Sequence, residues 1–335
     1  MILGLLVVVT SGCSTLNQWS STVKDAFSVE SSAETQTAPA PALNSWSVID
    51  GGVLDGAVES NSLVTGATGL EYTRLQRPVA IAVRGQWLYI VDAGLNKLFR
   101  YDLALHRMRI LKDLRDIVSG DVDDIYVTSD FHYYLADTQG ARVLHFDANG
   151  ALVETLQDSL NIRRPVGVYV DESRDRVFVA DGFRDDVLIF NQARQIFAVM
   201  GERGDMPGEF RRITAFAASA KGYYIATRFG SHRVWRMALD GHYAEALQQD
   251  TVTFPTALTA DDSGRVFVGD YLDNTIRIYE GTKMVKIVGH NGSAPGQFRR
   301  IADLWLNGDV LYVADSLNGR IQFVNVPDLD IPAQP

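Results

Sequence analysis

Apolar residues in this chain fall into short runs broken by turn-forming clusters. One such run recurs six times. It reads Tyr89-Ile90-Val91-Asp92, then Tyr134-Leu135-Ala136-Asp137 and Phe178-Val179-Ala180-Asp181. It continues as Tyr224-Ile225-Ala226-Thr227, Phe267-Val268-Gly269-Asp270 and Tyr312-Val313-Ala314-Asp315. Successive fourth positions are 45, 44, 46, 43 and 45 residues apart. A period held this closely is the mark of a propeller or a solenoid.

Each repeat predicts strand, turn, strand, turn, strand. In the last copy Ile301 to Leu306 is an apolar run and Asn307-Gly308-Asp309 turns the chain, as Asn-Gly pairs do in hairpins. Val310 to Ala314 is a second strand, Asp315 to Gly319 turns again, and Arg320 to Val326 is a third strand. The fourth position of the repeated phrase is Asp in five copies and Thr227 in copy four. An Asp ending a strand accepts hydrogen bonds from nearby backbone amides and holds the turn, so its recurrence indicates scaffolding rather than catalysis. Fourth strands are expected at Met108–Leu111, Ala151–Leu156, Gln195–Met200, Tyr243–Leu247 and Lys283–Val288. The sixth is expected from the other end of the chain, because Ser62 to Tyr72 lines up with Lys286 to Phe298. Residues 60–66 are thereby assigned to the outer edge of the last blade. The fold expected is all-β: a six-bladed β-propeller of four-stranded antiparallel blades, its ring closed by an N-terminal outer strand. Radial repetition of this kind leaves only short, protected strand edges.

The run Gly289-His290-Asn291-Gly292-Ser293-Ala294-Pro295-Gly296-Gln297-Phe298, followed by Arg299-Arg300-Ile301 and Leu311 to Phe323, resembles an NHL repeat. Gly201 to Phe210 repeats its first half. The resemblance covers roughly residues 60–326 and implies an NHL-type six-bladed propeller. It says little about function, since propellers host binding modules, scaffolds and a few enzymes.

The N-terminus differs in composition from the rest. Ile2 to Val9 is apolar, too short to span a bilayer as a helix, and the small residues Thr10-Ser11-Gly12 precede Cys13. This resembles a bacterial lipoprotein signal peptide over residues 1–12, with Cys13 as the lipidated first residue. Cys13 is the only cysteine, so no internal disulfide can form. Ser14 after it implies, by that resemblance, sorting to the outer membrane, facing the periplasm or the surface. Residues 13–45 are rich in Ser, Thr, Ala and Pro and read as a flexible tether. The propeller is assigned to residues 46–326 and a short tail to 327–335.

The net charge of −10 argues against nucleic acid as a partner. Local charge tells a different story. The loops leading into the inner strands hold Arg74 and Arg77, Arg163 and Arg164, Arg211 and Arg212, and Arg299 and Arg300. Four blades thus bring arginines to one mouth of the central channel, where their planar forks suit carboxylate, phosphate or sulfate. Arg77, Arg164, Arg212 and Arg300 are the candidate ligand-binding residues. The structural alternative is pairing with acids such as Glu71, Asp205, Glu209 or Asp303. Blade two breaks the ring with Gly120-Asp121-Val122-Asp123-Asp124. Asp124 and Asp303 occupy equivalent places at the start of inner strands. They are weak candidates for a hard cation such as Ca²⁺, which takes oxygen ligands; otherwise no cofactor is expected.

Catalytic signals are sparse. Of six histidines, only His232 and His290 fall in loops on the arginine face; His106, His132, His145 and His242 fall elsewhere. A catalytic zinc takes about three protein ligands. No nucleophile elbow or phosphate loop is present. The function expected is a membrane-anchored, non-catalytic binding or assembly module of the bacterial cell envelope, recognising a protein partner or an anionic polymer at the channel mouth. The alternative is an extracytoplasmic hydrolase or lyase using the same mouth.

Overall fold

The computed structural model describes residues 46–55, 72–249 and 251–329, together with the backbone of 60–61 and 68–69. Cys13, the segment before residue 46 and the end of the C-terminal tail lie outside the described residues.

Six blades of four antiparallel strands surround a central channel. Inner strands run Pro78–Arg84, Val122–Val127, Pro165–Asp171, Glu209–Ser219, Pro255–Ala260 and Ile301–Asn307 in blades I to VI. Each pairs with a strand ending in the repeated phrase, then a third strand, then an outer strand. The outer strands of blades I to V are Arg107–Asp113, Leu152–Leu156, Ile196–Met200, Tyr243–Ala246 and Lys283–Val288, each within a few residues of its expected place. The phrase is apolar because second strands are buried on both faces; Tyr89, Leu135, Phe178, Ile225, Phe267 and Val313 are all inaccessible to water. Their side chains fill the spaces between neighbouring blades.

The phrase's aspartates do more than hold their own turns. Asp181 accepts the amides of Phe183 and Arg184 in the following turn, both at 2.9 Å. Its other oxygen accepts Arg163 N at 2.6 Å and Arg164 N at 2.7 Å in the lead-in loop. Asp92 does the same for Gln76, Arg77, Gly94 and Leu95. One buried carboxylate thus ties the lead-in loop to the turn beside it. Both therefore share one end of the blade, called here the upper face.

An N-terminal strand closes the ring, but the outer place of blade VI, expected of residues 60–66, is taken by Ser47–Ile49, and residues 62–66 lie outside the described residues. Ser47–Ile49 pairs antiparallel with Arg320–Asn325 as the outer strand of blade VI. Ser60–Asn61 instead pairs with Thr68–Gly69 in a separate two-stranded ribbon. The reason lies in packing. Ile49 is buried, and Trp46 meets Phe298 edge to face at 5.2 Å over Gly296. The following Gly51-Gly52 then lets the chain press against blade I, because a Cβ on Gly52 would fall 3.1 Å from that of Met108. Gly51–Leu54 runs parallel to Arg107–Asp113, and Tyr72–Arg74 pairs back on it. Residues 47–54 therefore seal both blades at the seam.

Candidate functional site

Pairing register defines the ring at the upper mouth. The residues opposite the phrase's fourth position are Pro78, Val122, Pro165, Ile213, Pro255 and Ile301. Immediately before them stand Arg77, Asp121, Arg164, Arg212, Phe254 and Arg300. In each double-arginine loop the first member (Arg163, Arg211, Arg299) is exposed and the second (Arg164, Arg212, Arg300) is half-buried at the mouth. Arg164, Arg212 and Arg300 line one cavity of about 220 Å³, together with Arg228, Phe254, Asp121 and Asp123. Arg77 stands beside it and reaches Asp121 at 3.0 Å.

The arginines fall into two kinds. Arg77 pairs with Asp121, and Arg164 with Asp123 at 3.5 Å. Among the described residues, no ion pair or hydrogen bond engages the guanidinium of Arg212 or Arg300. Among the described residues Arg228 forms no ion pair either; it lies over the ring of Phe254 at 4.2 Å and of Phe229 at 5.5 Å. Of the acids expected as partners, Asp205 binds Arg211 at 3.0 Å, Glu209 accepts the amide of Met206, and Glu71 lies outside the described residues.

The two kinds are also held differently. The amides of Arg77 and Arg164 bond to the aspartate of their own blade. Arg212 and Arg300 adopt left-handed backbone, φ 62° in both. Non-glycine residues seldom adopt this region, and such strain persists only where the surroundings enforce it. Here the preceding blade does so. Asp185 of blade III accepts Arg212 N at 2.6 Å and Ile213 N at 3.2 Å, and Asn274 of blade V accepts Arg300 N at 2.5 Å. Blade IV, whose phrase ends in Thr227, has no aspartate of its own for this task. Thr227 bonds its hydroxyl to His232 O at 3.2 Å instead.

Below the mouth, Asp123, Thr214, Thr256 and Ala302 lead into a second cavity of about 220 Å³, the channel itself. Asp124 and Asp303 line it in equivalent positions, opposite Ala136 and Ala314. Asp124 accepts Val168 N of blade III, and Asp303 accepts Ile81 N of blade I, both at 2.7 Å. Each second oxygen takes the amide of the next residue, Ile125 at 2.8 Å and Leu304 at 2.7 Å. The two carboxylates thus link inner strands of adjacent blades. Burial pushes Asp124 up to about 7; burial and then the charge of Asp124 push Asp303 well above the usual carboxylate range. Burial also raises Asp123, against the pull of Arg164. Among the described residues, no cluster of three or more His, Cys, Asp or Glu side chains is placed to hold a metal ion. His232 contacts Ser231 and Trp235, and His290 contacts Gln297. His145 bonds to His132 and Glu154, both at 2.9 Å, on the far side of blade II.

Arg228, Phe254, Asp121 and Asp123 complete the mouth beyond the four candidate arginines. Asp121 and Asp123 had a signal, the break in the arginine ring at blade two. For Arg228 the signal is the loss of aspartate at Thr227, after which the second strand runs on through Arg228 to Phe229.

The fold and mouth define a six-bladed β-propeller with a cationic sector at one end of its channel. No protein-family model matches the chain, and no curated protein matches it by sequence. Solved structures do match. A streptogramin B lyase is similar with a TM-score of 0.56 at 11% identity, over 75% of this chain and 94% of that one. A structural-genomics protein of unknown function from Bacteroides thetaiotaomicron gives 0.60 at 14% identity, over 84% and 75%. An auxiliary nutrient binding protein from the same organism gives 0.59 at 11%, over 74% and 69%. At such identities the likeness is one of fold.

Proposed function

We propose that this protein is a non-catalytic binding module of the bacterial cell envelope. It is held to the outer membrane by a lipid on Cys13 and recognises an anionic group of its partner at the upper channel mouth. One observation carries the reading: Arg164, Arg212, Arg228 and Arg300 line one cavity with only two carboxylates, Asp121 and Asp123, and among the described residues Arg212, Arg228 and Arg300 form no ion pair there. Arg212 and Arg300 are half-buried, and a guanidinium so placed is costly to leave unpaired; Arg228 is exposed beside them. A carboxylate, phosphate or sulfate entering the mouth would meet them with charge-assisted bonds. A propeller among the fold's neighbours is named as a nutrient-binding protein, which supports a binding role in general terms. The NHL-type repeat and the tether over residues 13–45 fit a propeller presented at a distance from a membrane.

The test is recovery of partners from native membranes by the full-length protein in detergent. Wild type is expected to retain envelope components that 0.5 M salt releases, because screening weakens exposed charge contacts. R212E/R228E/R300E is expected to retain none of them while melting at the same temperature. Equal recovery by the two proteins would overturn the proposal. Replacing Cys13 with Ser is expected to move the protein from the detergent phase to the aqueous phase.

A further inference from the structure

The two ends of the propeller differ in what they expose. In the turns and loops of the upper face, Phe183, Met206, Phe229, Tyr271, Leu272 and Leu317 are 42–65% accessible. In the turns of the lower face, Leu105 is the one exposed large apolar residue among those described. Exposed apolar residues gathered on one face of a propeller mark an interaction site.

The turns do not require these residues. Two places after the phrase's fourth position stand Gly94, Gln139, Phe183, Phe229, Leu272 and Leu317 in blades I to VI. Blades I and II make the same turn with glycine and glutamine, and turn tips ordinarily favour such small or polar residues. The apolar side chains are confined to blades III to VI. The unpaired arginines occupy the same sector. The two features touch: Arg228 stacks on Phe254 and Phe229, and Phe254 meets Tyr271 edge to face at 5.4 Å. At the other end of the arc, Arg163 and Arg203 both lie over the exposed ring of Phe183, at 5.6 and 5.7 Å.

We infer that the upper face of blades III to VI is a docking surface for an extended polypeptide segment of a partner protein. That segment carries carboxylate side chains next to large apolar ones. The inference rests on the anion-binding reading of the mouth and adds the class of ligand. Charge decides against a basic segment, because Arg212, Arg228 and Arg300 would repel it. The apolar arc decides against a purely anionic polymer, which would leave the four blade-tip side chains Phe183, Phe229, Leu272 and Leu317 in water. Aromatic residues and arginine around a common pocket are the composition of interface cores. The remaining surface of the protein is acidic overall, at a net charge of −10, so an acidic segment is repelled elsewhere and admitted here.

The test is selection from a random twelve-residue peptide library displayed on phage, panned on full-length protein in detergent micelles. Enriched peptides are expected to combine Asp or Glu with Phe, Leu, Ile or Trp. Their binding is expected to weaken at least tenfold on F183S/F229S/L272S/L317S and to vanish on R212E/R228E/R300E. Both variants are checked by unchanged melting. Enriched peptides that are acidic but polar, and bind the serine variant as well as wild type, would overturn the docking inference and leave the anion reading standing. Enriched peptides indifferent to the arginine reversal would overturn the anion reading as well. No enrichment over the unselected library would overturn the docking inference.

Discussion

Six equivalent positions make the channel mouth, yet its two halves are chemically unlike. On blades I to III, Arg77 and Arg164 face Asp121 and Asp123, and the half is close to neutral. On blades IV to VI, Arg212 and Arg300 flank Phe254, with Arg228 stacked on its ring. The paired half is held by each blade's own aspartate. In the cationic half, left-handed arginines are held by side chains of the preceding blade. Repetition therefore builds the scaffold, and departures from repetition build the site. Thr227 in place of aspartate, Phe254 in place of arginine and the left-handed loops all fall in the same sector.

The largest effect that would sharpen this contrast comes from the clamp on Arg212. Asp185 is buried, accepts two backbone amides and pairs with Arg203 at 2.9 Å. Removing it leaves two amides without acceptors, a cost of about 1–3 kcal/mol. Asp185→Ala is expected to lower Tm by several degrees and to weaken partner binding through Arg212. By contrast, Arg77→Ala breaks an exposed pair worth about 0–1 kcal/mol and is expected to leave Tm almost unchanged. Equal losses in a thermal melt would erase the distinction between the halves.

Exchanging residues across the ring comes next. Phe254→Asp gives the cationic half a carboxylate in the place equivalent to Asp121, and a roughly tenfold loss of partner affinity is expected, about 1.4 kcal/mol. Asp121→Phe frees Arg77 and is expected to strengthen binding a few-fold. If both exchanges leave binding unchanged, pairing is not what separates the halves.

The smallest expected effect is that of pH. Asp124 lies under the paired half and Asp303 under the cationic half. Both are raised, Asp124 to about 7, so above the ordinary carboxylate range the folded protein binds more protons than the unfolded chain. Stability contributed by those protons is fully present at and below the unfolded value near 3.8 and is lost as pH rises through the folded values. A Tm lower at pH 8 than at pH 6 is expected, together with weaker anion binding as charge appears below the mouth. Asp303→Asn is expected to flatten both slopes. A Tm that rises between pH 6 and 8, with Asp303→Asn unchanged from wild type, would contradict the assignment.

The fold was legible in sequence because a blade repeats, so six copies of one apolar phrase fix strand order and period together. The closing strand was not. Ser62 to Tyr72 looks like the repeat, whereas Ser47–Ile49 is only three residues and owes its place to Ile49, Trp46 and the tight passage of Gly51-Gly52. Arginines at the mouth could be read from their place in the lead-in loops. Which of them are neutralised could not, because Arg77 and Arg164 find partners about forty residues away in an adjacent blade. Asp124 and Asp303 were legible as equivalents. Their bonds to Val168 and Ile81 depend on how blades pack side by side.

The most direct measurement neutralises the two halves separately. Full-length protein in detergent is titrated with octaglutamate by calorimetry at low and high salt, as wild type, R77Q/R164Q and R212Q/R300Q. The account predicts that R77Q/R164Q loses less affinity than R212Q/R300Q, because Arg77 and Arg164 are already engaged by Asp121 and Asp123. It predicts that R212Q/R300Q loses at least tenfold and most of its salt dependence. Equal losses in the two variants, or a larger loss in R77Q/R164Q, would contradict it.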